Sequence, residues 1–249
     1  MDFSFKASTF RDLFHNAVTE VIADVEPDEQ DVNSPHNLLA AMDRAIDVMA
    51  RADADIAVQQ QMSTESMGML EEKDISNIGQ YTLDLLEAMV SYMQNKTGEQ
   101  NRELMRLSVP VSLWVARHGG KLSQIDMVVN SLAGYANELL EPHMLADLAR
   151  VIREVIDACA DSIRQDMEQT NMMRPWRILN LNYGIVATRS HQPELIEMAY
   201  DVLIKNLPQD ARQFFKEGRQ QMDIIGYPDE VREVVERYNK IWGSESSLH

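Results

Sequence analysis

Residues 174–242, RPWRILNLNYGIVATRSHQPELIEMAYDVLIKNLPQDARQFFKEGRQQMDIIGYPDEVREVVERYNKIW, decide the fold class. An apolar helix runs through Trp176, Leu179 and Tyr183 and stops at the polar turn Arg189-Ser190-His191-Gln192-Pro193. A second apolar-striped helix follows and ends at Pro208. The pattern then begins again at Gln209 and turns at Gly226-Tyr227-Pro228-Asp229. Apolar residues at helical spacing, separated by short breaker-rich turns, predict antiparallel helical hairpins. Two hairpins in a row predict a stack, and a stack builds a surface for binding rather than a catalytic centre by itself.

Working outward, the same helical period continues to the N-terminus. Phe10, Leu13, Phe14, Val18 and Val21 share one face of a helix over about Ser8–Val25. Ser34-Pro35 reads as an N-cap and first-turn pair for a helix carrying Leu38, Met42, Ala45, Ile46 and Met49. Residues 61–73, with Met62, Met67 and Met69 among Ser, Thr and Gly, read as a connector. Asp74 or Ser76 caps the next helix, which Gly98 closes. Shorter helices follow over Glu99–Leu107 and from Ser108 to Gly119-Gly120, then one through Ile125, Val128, Leu132 and Leu139 up to Pro142. A long helix is predicted from His143 to Glu168, with Ile152, Val155, Ile156, Cys159 and Ile163 inward, before a connector at 169–173. The expected fold is therefore all-α, α-solenoid-like, with about nine or ten helices stacked as antiparallel hairpins. Its expected divisions are an acidic helical region over 1–98, a hairpin region over 99–242 and a disordered tail over 243–249, either as separate parts or as one continuous domain.

Charge bounds the partners. The formal net charge is −17, and residues 1–100 hold 19 acidic against 6 basic side chains. Phosphates require Lys and Arg clusters, so nucleic acid is excluded, and anionic membrane surfaces with it. A basic protein partner is compatible with this charge, as is a charged surface that only confers solubility. Cys159 is the only cysteine, so no intrachain disulfide can form, and it reads as a small core hydrophobe. No apolar run is long enough to span a bilayer, and the first residues lack the apolar core of a signal peptide. Cytoplasmic residence is the default expectation.

Two self-similarities stand out. Val115-Ala116-Arg117-His118 precedes Ile125-Asp126-Met127-Val128 as Val186-Ala187-Thr188-Arg189 precedes Ile196-Glu197-Met198-Ala199. Duplication of 104–140 as 174–208 and chance likeness of amphipathic helices both account for that. The second is a family likeness. Trp176, Leu179, Tyr183, Tyr200 and Pro208, then Phe215, Met222, Gly226, Val231, Val235 and Tyr238, fall in the order of the tetratricopeptide (TPR) repeat. Residues 174–242 thus resemble that family of paired helices in repeats of about 34 residues. Asn180 and Ala187 stand where small residues or Gly are usual, Leu203 replaces a small residue, and the spacing from Tyr183 to Tyr200 is longer. The resemblance implies stacked hairpins whose first helices line a concave face.

The chemistry of that face is read from charge. From Leu104 to Ile125, and again from Gln169 to Pro193, there is no acid, while Arg106, Arg117 and Lys121, then Arg174, Arg177 and Arg189, are present. On a helix from Pro175, residues Arg177, Asn180, Gly184 and Thr188 form a polar stripe opposite Ile178, Leu181 and Ile185. Arg grips a carboxylate with two parallel hydrogen bonds, and Asn pairs a peptide group. The expected site is a peptide or protein groove built on Arg177, Asn180 and Arg189, with Arg106 and Arg117. The alternative is that these cations pair with acids of the N-terminal helices, within the fold or in a dimer. Metal spacing is poor: His191, Glu194 and Glu197 lack a second ligand set, and Asp53-Ala54-Asp55 lacks the remaining Ca²⁺-loop ligands. No nucleophile elbow or phosphate loop is present. No cofactor or catalytic residue is therefore expected.

The function expected from sequence is a non-enzymatic interaction module, an adaptor or a chaperone-like or regulatory protein. An all-α enzyme or small-ligand sensor with an unrecognised site is the alternative, and a homodimer joined through exposed hairpin ends is a third reading. A polar cavity with convergent ionisable groups would favour the second reading. An open groove with an apolar floor would favour the first.

Overall fold

The structure, a computed structural model, describes residues 2–28, 30–62, 70–167 and 169–243. Among the described residues the chain is all-α, as the periodicity predicts, and its only sheet-like pairing is one isolated bridge between Leu122 and Cys159. Packing divides it into two compact units. The first holds residues 2–131 with 158–160, and the second residues 132–157 with 161–243.

In the first unit, α1 (Ala7–Ala23) lies on α2 (Pro35–Met62), α2 on α3 (Glu72–Thr97), and α3 on α4 (Arg102–Arg106) and α5 (Ser108–Arg117). Helix α1 buries Phe10, Phe14 and Val18 of the stripe read from sequence, while Val21 is half-buried and Leu13 is 52% exposed. On its other flank Arg11 reaches Asp43 at 3.0 Å, and His15 sits 2.9 Å from the same carboxylate. The cap of α3 is Glu71, three residues ahead of the expected Asp74 and five ahead of Ser76. Asp74 acts from the third helical position, where its carboxylate accepts the Glu71 backbone N–H. The end of α3 is as expected: Gly98 takes the left-handed conformation at φ 78°. The predicted connector at 61–73 lies largely outside the described residues. Asp53 on α2 accepts from Trp114 Nε1 at 2.7 Å and lies 2.9 Å from His118 Nε2, so it ties α2 to the end of α5.

Helices α3 and α5 approach closely because Gly79 has no side chain. A Cβ there would stand 2.0 Å from Cγ2 of the buried Val115. Gly79→Ala is therefore expected to lower Tm. The helix-propensity gain of about 1 kcal/mol is smaller than the ~1–3 kcal/mol cost of overpacking against a branched, enclosed neighbour. Gly134→Ala, on α6 (Asp126–Glu138) with open space around it, is the matched control and should hold or raise Tm. Equal shifts for the two variants would contradict the close-approach account.

The second unit contains α7 (Pro142–Ala158), α8 (Asp161–Arg164), α9 (Pro175–Arg189), α10 (Pro193–Asn206), α11 (Pro208–Ile225), α12 (Asp229–Tyr238) and a π-helical turn over Asn239–Gly243. The long helix expected to reach Glu168 stops ten residues early. Leu122 takes over the backbone there: its N–H donates to Ala158 O at 2.8 Å, and Ala160 N–H donates to Leu122 O at 2.8 Å. Cys159 is buried as expected, but in this bridge rather than on a helix face. Prolines open α9, α10 and α11 at the first turn, where the missing N–H costs nothing. Gly226 ends α11 at φ 69°. Turns of three residues fold α10 back on α9 and α12 back on α11, and α10 also touches α11 and α12. Ile196, Tyr200, Leu203, Phe215, Met222 and Val235 form the shared core of these hairpins.

Candidate binding groove

Helix α11 presents two faces to its surroundings. Ala211, Phe215 and Met222 are buried in the hairpin core. Phe214, Glu217, Gly218, Gln221, Met222 and Ile225 recur at helical spacing on an adjacent stripe that lines an open recess. Opposite stand Ile185, Thr188 and Arg189 from the end of α9. Tyr200 of α10 forms part of the floor, and Tyr227 from the α11–α12 turn closes one end. The volume is ≈ 320 Å³, at the lower bound of ligand-sized pockets, and the walls are mostly apolar. Ile185 and Ile225 are 45% and 58% exposed, so apolar surface reaches the rim.

The floor is fixed by hydrogen bonds. Thr188 Oγ1 donates to Gly184 O at 2.7 Å and lies 2.7 Å from the Tyr200 hydroxyl. A threonine hydroxyl has one proton, so Tyr200 is the donor in the second bond. Burial pushes the Tyr200 phenol well above its ordinary pKa, which keeps that proton in place. Gly184 sets the width: a Cβ there would come within 2.6 Å of Phe214 Cζ and 3.2 Å of Leu203 Cδ1. Rings reinforce the wall, with Tyr200 edge-on to Phe214 at 5.6 Å and His191 edge-on to Tyr227 at 5.5 Å. Tyr227 is also held above its ordinary pKa by burial, against the opposing pull of Arg189.

The residues singled out by sequence are distributed differently from the expected cluster. Arg189 borders the groove, but its guanidinium donates to the carbonyls of Ala136 and Leu139 and so closes the C-terminal end of α6. Arg177 donates through Nε to Asp210 Oδ1 at 2.7 Å, which ties the start of α9 to α11, and through Nη1 to Met172 O at 3.1 Å. Asn180 is fully buried: its Nδ2 donates to Trp176 O and its Oδ1 accepts from Asn206, both at 2.8 Å. The polar stripe of α9 thus faces inward, and Ile185, assigned to the opposite face, is the exposed one. Arg106 and Arg117 belong to the first unit, where Arg106 bonds Glu103 at 2.9 Å and Arg117 donates to Ser4 at 2.8 Å. Arg177 and Arg189 thus meet Asp210 and backbone carbonyls within the second unit.

Phe214, Ile225 and Tyr227 had no place in the sequence-derived site. For Phe214 the signal was the Phe214-Phe215 pair: Phe215 is buried in the core, and the half-buried Phe214 packs against that core from the groove side. Among the described residues, no three His, Cys, Asp or Glu side chains stand together in a metal-holding group. No described helix is long and apolar enough to cross a membrane. Comparison with family models, with curated proteins and with solved structures finds no match to this chain.

Proposed function

We propose that this chain is a protein-interaction module whose second unit holds a peptide of a partner protein in the groove between α9 and α11. The observation that carries the reading is the apolar recess itself, open at Ile185 and Ile225 and floored by a hydrogen-bonded Tyr200–Thr188 pair. An apolar floor without convergent free ions suits an anchoring side chain better than acid–base chemistry. The occupant in this reading is a segment with one large apolar anchor flanked by basic residues, because a chain of net charge −17 attracts cations at long range. Groove walls supplied by the first helices of two successive hairpins are what TPR-like repeats use, and that likeness is part of the proposal. The same reading puts the protein in the cytoplasm, acting as an adaptor or regulator without catalysis of its own.

Random-peptide display against the intact protein tests it. Selected peptides should share an apolar anchor with Lys or Arg neighbours. The Ile185→Glu/Ile225→Glu variant should lose them at least about tenfold, while both exposed sites keep stability within about 0.5 kcal/mol. Peptides that bind the variant equally well would remove the groove from the reading. Selection of no peptide, together with a thermal shift by small apolar molecules, would replace it with a small-ligand sensor.

A further inference from the structure

The connector between α8 and α9 has a second organisation that owes nothing to the groove. Asp166 stands at its start with φ 47°, in the left-handed region, which Asp enters more readily than most residues other than Gly. Arg174 closes the far end. Its Nε and Nη2 donate to the two oxygens of the Asp166 carboxylate, the second bond at 2.8 Å, and both residues are buried. The same guanidinium donates to Gln169 O at 3.2 Å and Asn171 O at 3.0 Å, and Met173 N–H donates to Asn171 Oδ1 at 2.9 Å. The loop is therefore stapled from inside by one arginine, which takes the carbonyls of Gln169 and Asn171 while their side chains stay exposed.

Its outer surface carries three thioethers beside the polar side chains of Gln169, Thr170 and Asn171. Met167, Met172 and Met173 are 83%, 56% and 75% exposed, whereas Met42, Met49, Met89 and Met222 are at most 1% exposed. Three exposed methionines on one short loop held by buried polar bonds are an unusual concentration of apolar side chains on a surface turn. We propose that this loop is a peroxide-modified site: Met167 and Met173 oxidise first among the described methionines, Met172 follows them, and the change recolours the surface without opening the loop. In the step, a sulfur lone pair attacks one peroxide oxygen, the O–O bond breaks, and water leaves after proton transfer. Sulfur is oxidised to the sulfoxide as peroxide is reduced. The product is polar and chiral, so three apolar contacts become three hydrogen-bond acceptors while the Asp166–Arg174 staple, which contains no sulfur, stays in place. Because the side chains are outside, methionine sulfoxide reductases reach them in the folded protein, and the modification reverses.

The experiment treats the intact protein with graded hydrogen peroxide and follows each methionine peptide by mass spectrometry. Met167 and Met173 should oxidise at least about tenfold faster than Met42, Met49, Met89 and Met222, with Met198, 53% exposed on α10, in between. Protein oxidised to the extent of the loop should keep its Tm and helical circular dichroism, and MsrA with MsrB should return its mass. The Met167→Leu/Met172→Leu/Met173→Leu variant should lose the fast phase and fold normally. Oxidation of the core methionines at the same rate, unfolding with the first sulfoxides, or failure of the reductases on folded protein would each overturn the proposal.

Discussion

Arg174→Ala is expected to lower the free energy of unfolding by about 3–5 kcal/mol, the largest loss from any single polar change in the second unit. The guanidinium is 4% exposed and the Asp166 carboxylate 7% exposed. Removing the cation leaves that carboxylate out of water with its principal partner gone, and breaking a buried pair costs more than the pair contributes. Asp210 loses by the same change, because its Oδ2 has no hydrogen bond and stands 3.9 Å from Arg174 Nη2. Asp166 in turn raises the affinity of Arg174 for its proton, which keeps the guanidinium charged under all working conditions. Two comparison variants separate charge from geometry. Arg174→Lys keeps the cation but cannot grip both oxygens, so an intermediate loss is expected. Arg174→Met/Asp166→Asn removes both charges, keeps a residue that tolerates φ 47°, and should recover much of the loss. Urea denaturation followed by circular dichroism reads all three. A loss below about 0.5 kcal/mol for Arg174→Ala would mean that the pair is screened by water and that the loop is not closed by it.

That network also shows what a sequence conceals. Pro175, Pro193, Pro208, Gly98 and Gly226 were readable as punctuation because each acts through its own backbone, and the helices they bound stand where they point. The stop after Ala158 was not readable. It depends on Leu122, a residue far away on the chain whose N–H and C=O occupy the groups that would have continued the helix. Polarity misleads in a related way. Asn180 and Thr188 look like surface on a helical projection, but their partners, Asn206, Gly184 O and Tyr200, come from the same helix and the next one, and a satisfied polar group is stable inside. The cations follow the same logic. A run of Arg without neighbouring acids suggests a surface waiting for a ligand, yet Arg177 meets Asp210 from the next hairpin and Arg189 meets carbonyls at a helix end. Arginine's reach lets distant sequence neutralise it, so local charge patterning gives the sign of a region but not the free valence of a residue. The groove was legible only as an excess of apolar residues on α11 beyond what one core-facing stripe uses.

Phe215→Ala is expected to cost about 3–5 kcal/mol and to change the groove from beneath. Phe215 is 1% exposed and has Tyr200 at 5.0 Å, Phe214 at 5.4 Å and Tyr238 at 5.5 Å. Two of those rings, Tyr200 and Phe214, are groove walls, so Phe215 is the layer on which the candidate site rests. Deleting it removes a whole ring from a core whose other members come from three helices, and such a site relaxes only in part. What remains open decides between two outcomes. If the Tyr200–Thr188 hydrogen bond holds the floor, the space stays enclosed and apolar, and benzene should raise the Tm of the variant but not of the native protein. If Tyr200 drops into the space, benzene has no effect, the groove deepens, and selected peptides should shift towards a larger anchor. Phe215→Leu, which keeps most of the volume, should lose much less stability and leave peptide selection unchanged. Equal stability of the Ala and Leu variants would show that the four rings do not pack as one cluster, and the groove would then lack the rigid base that preorganised binding requires.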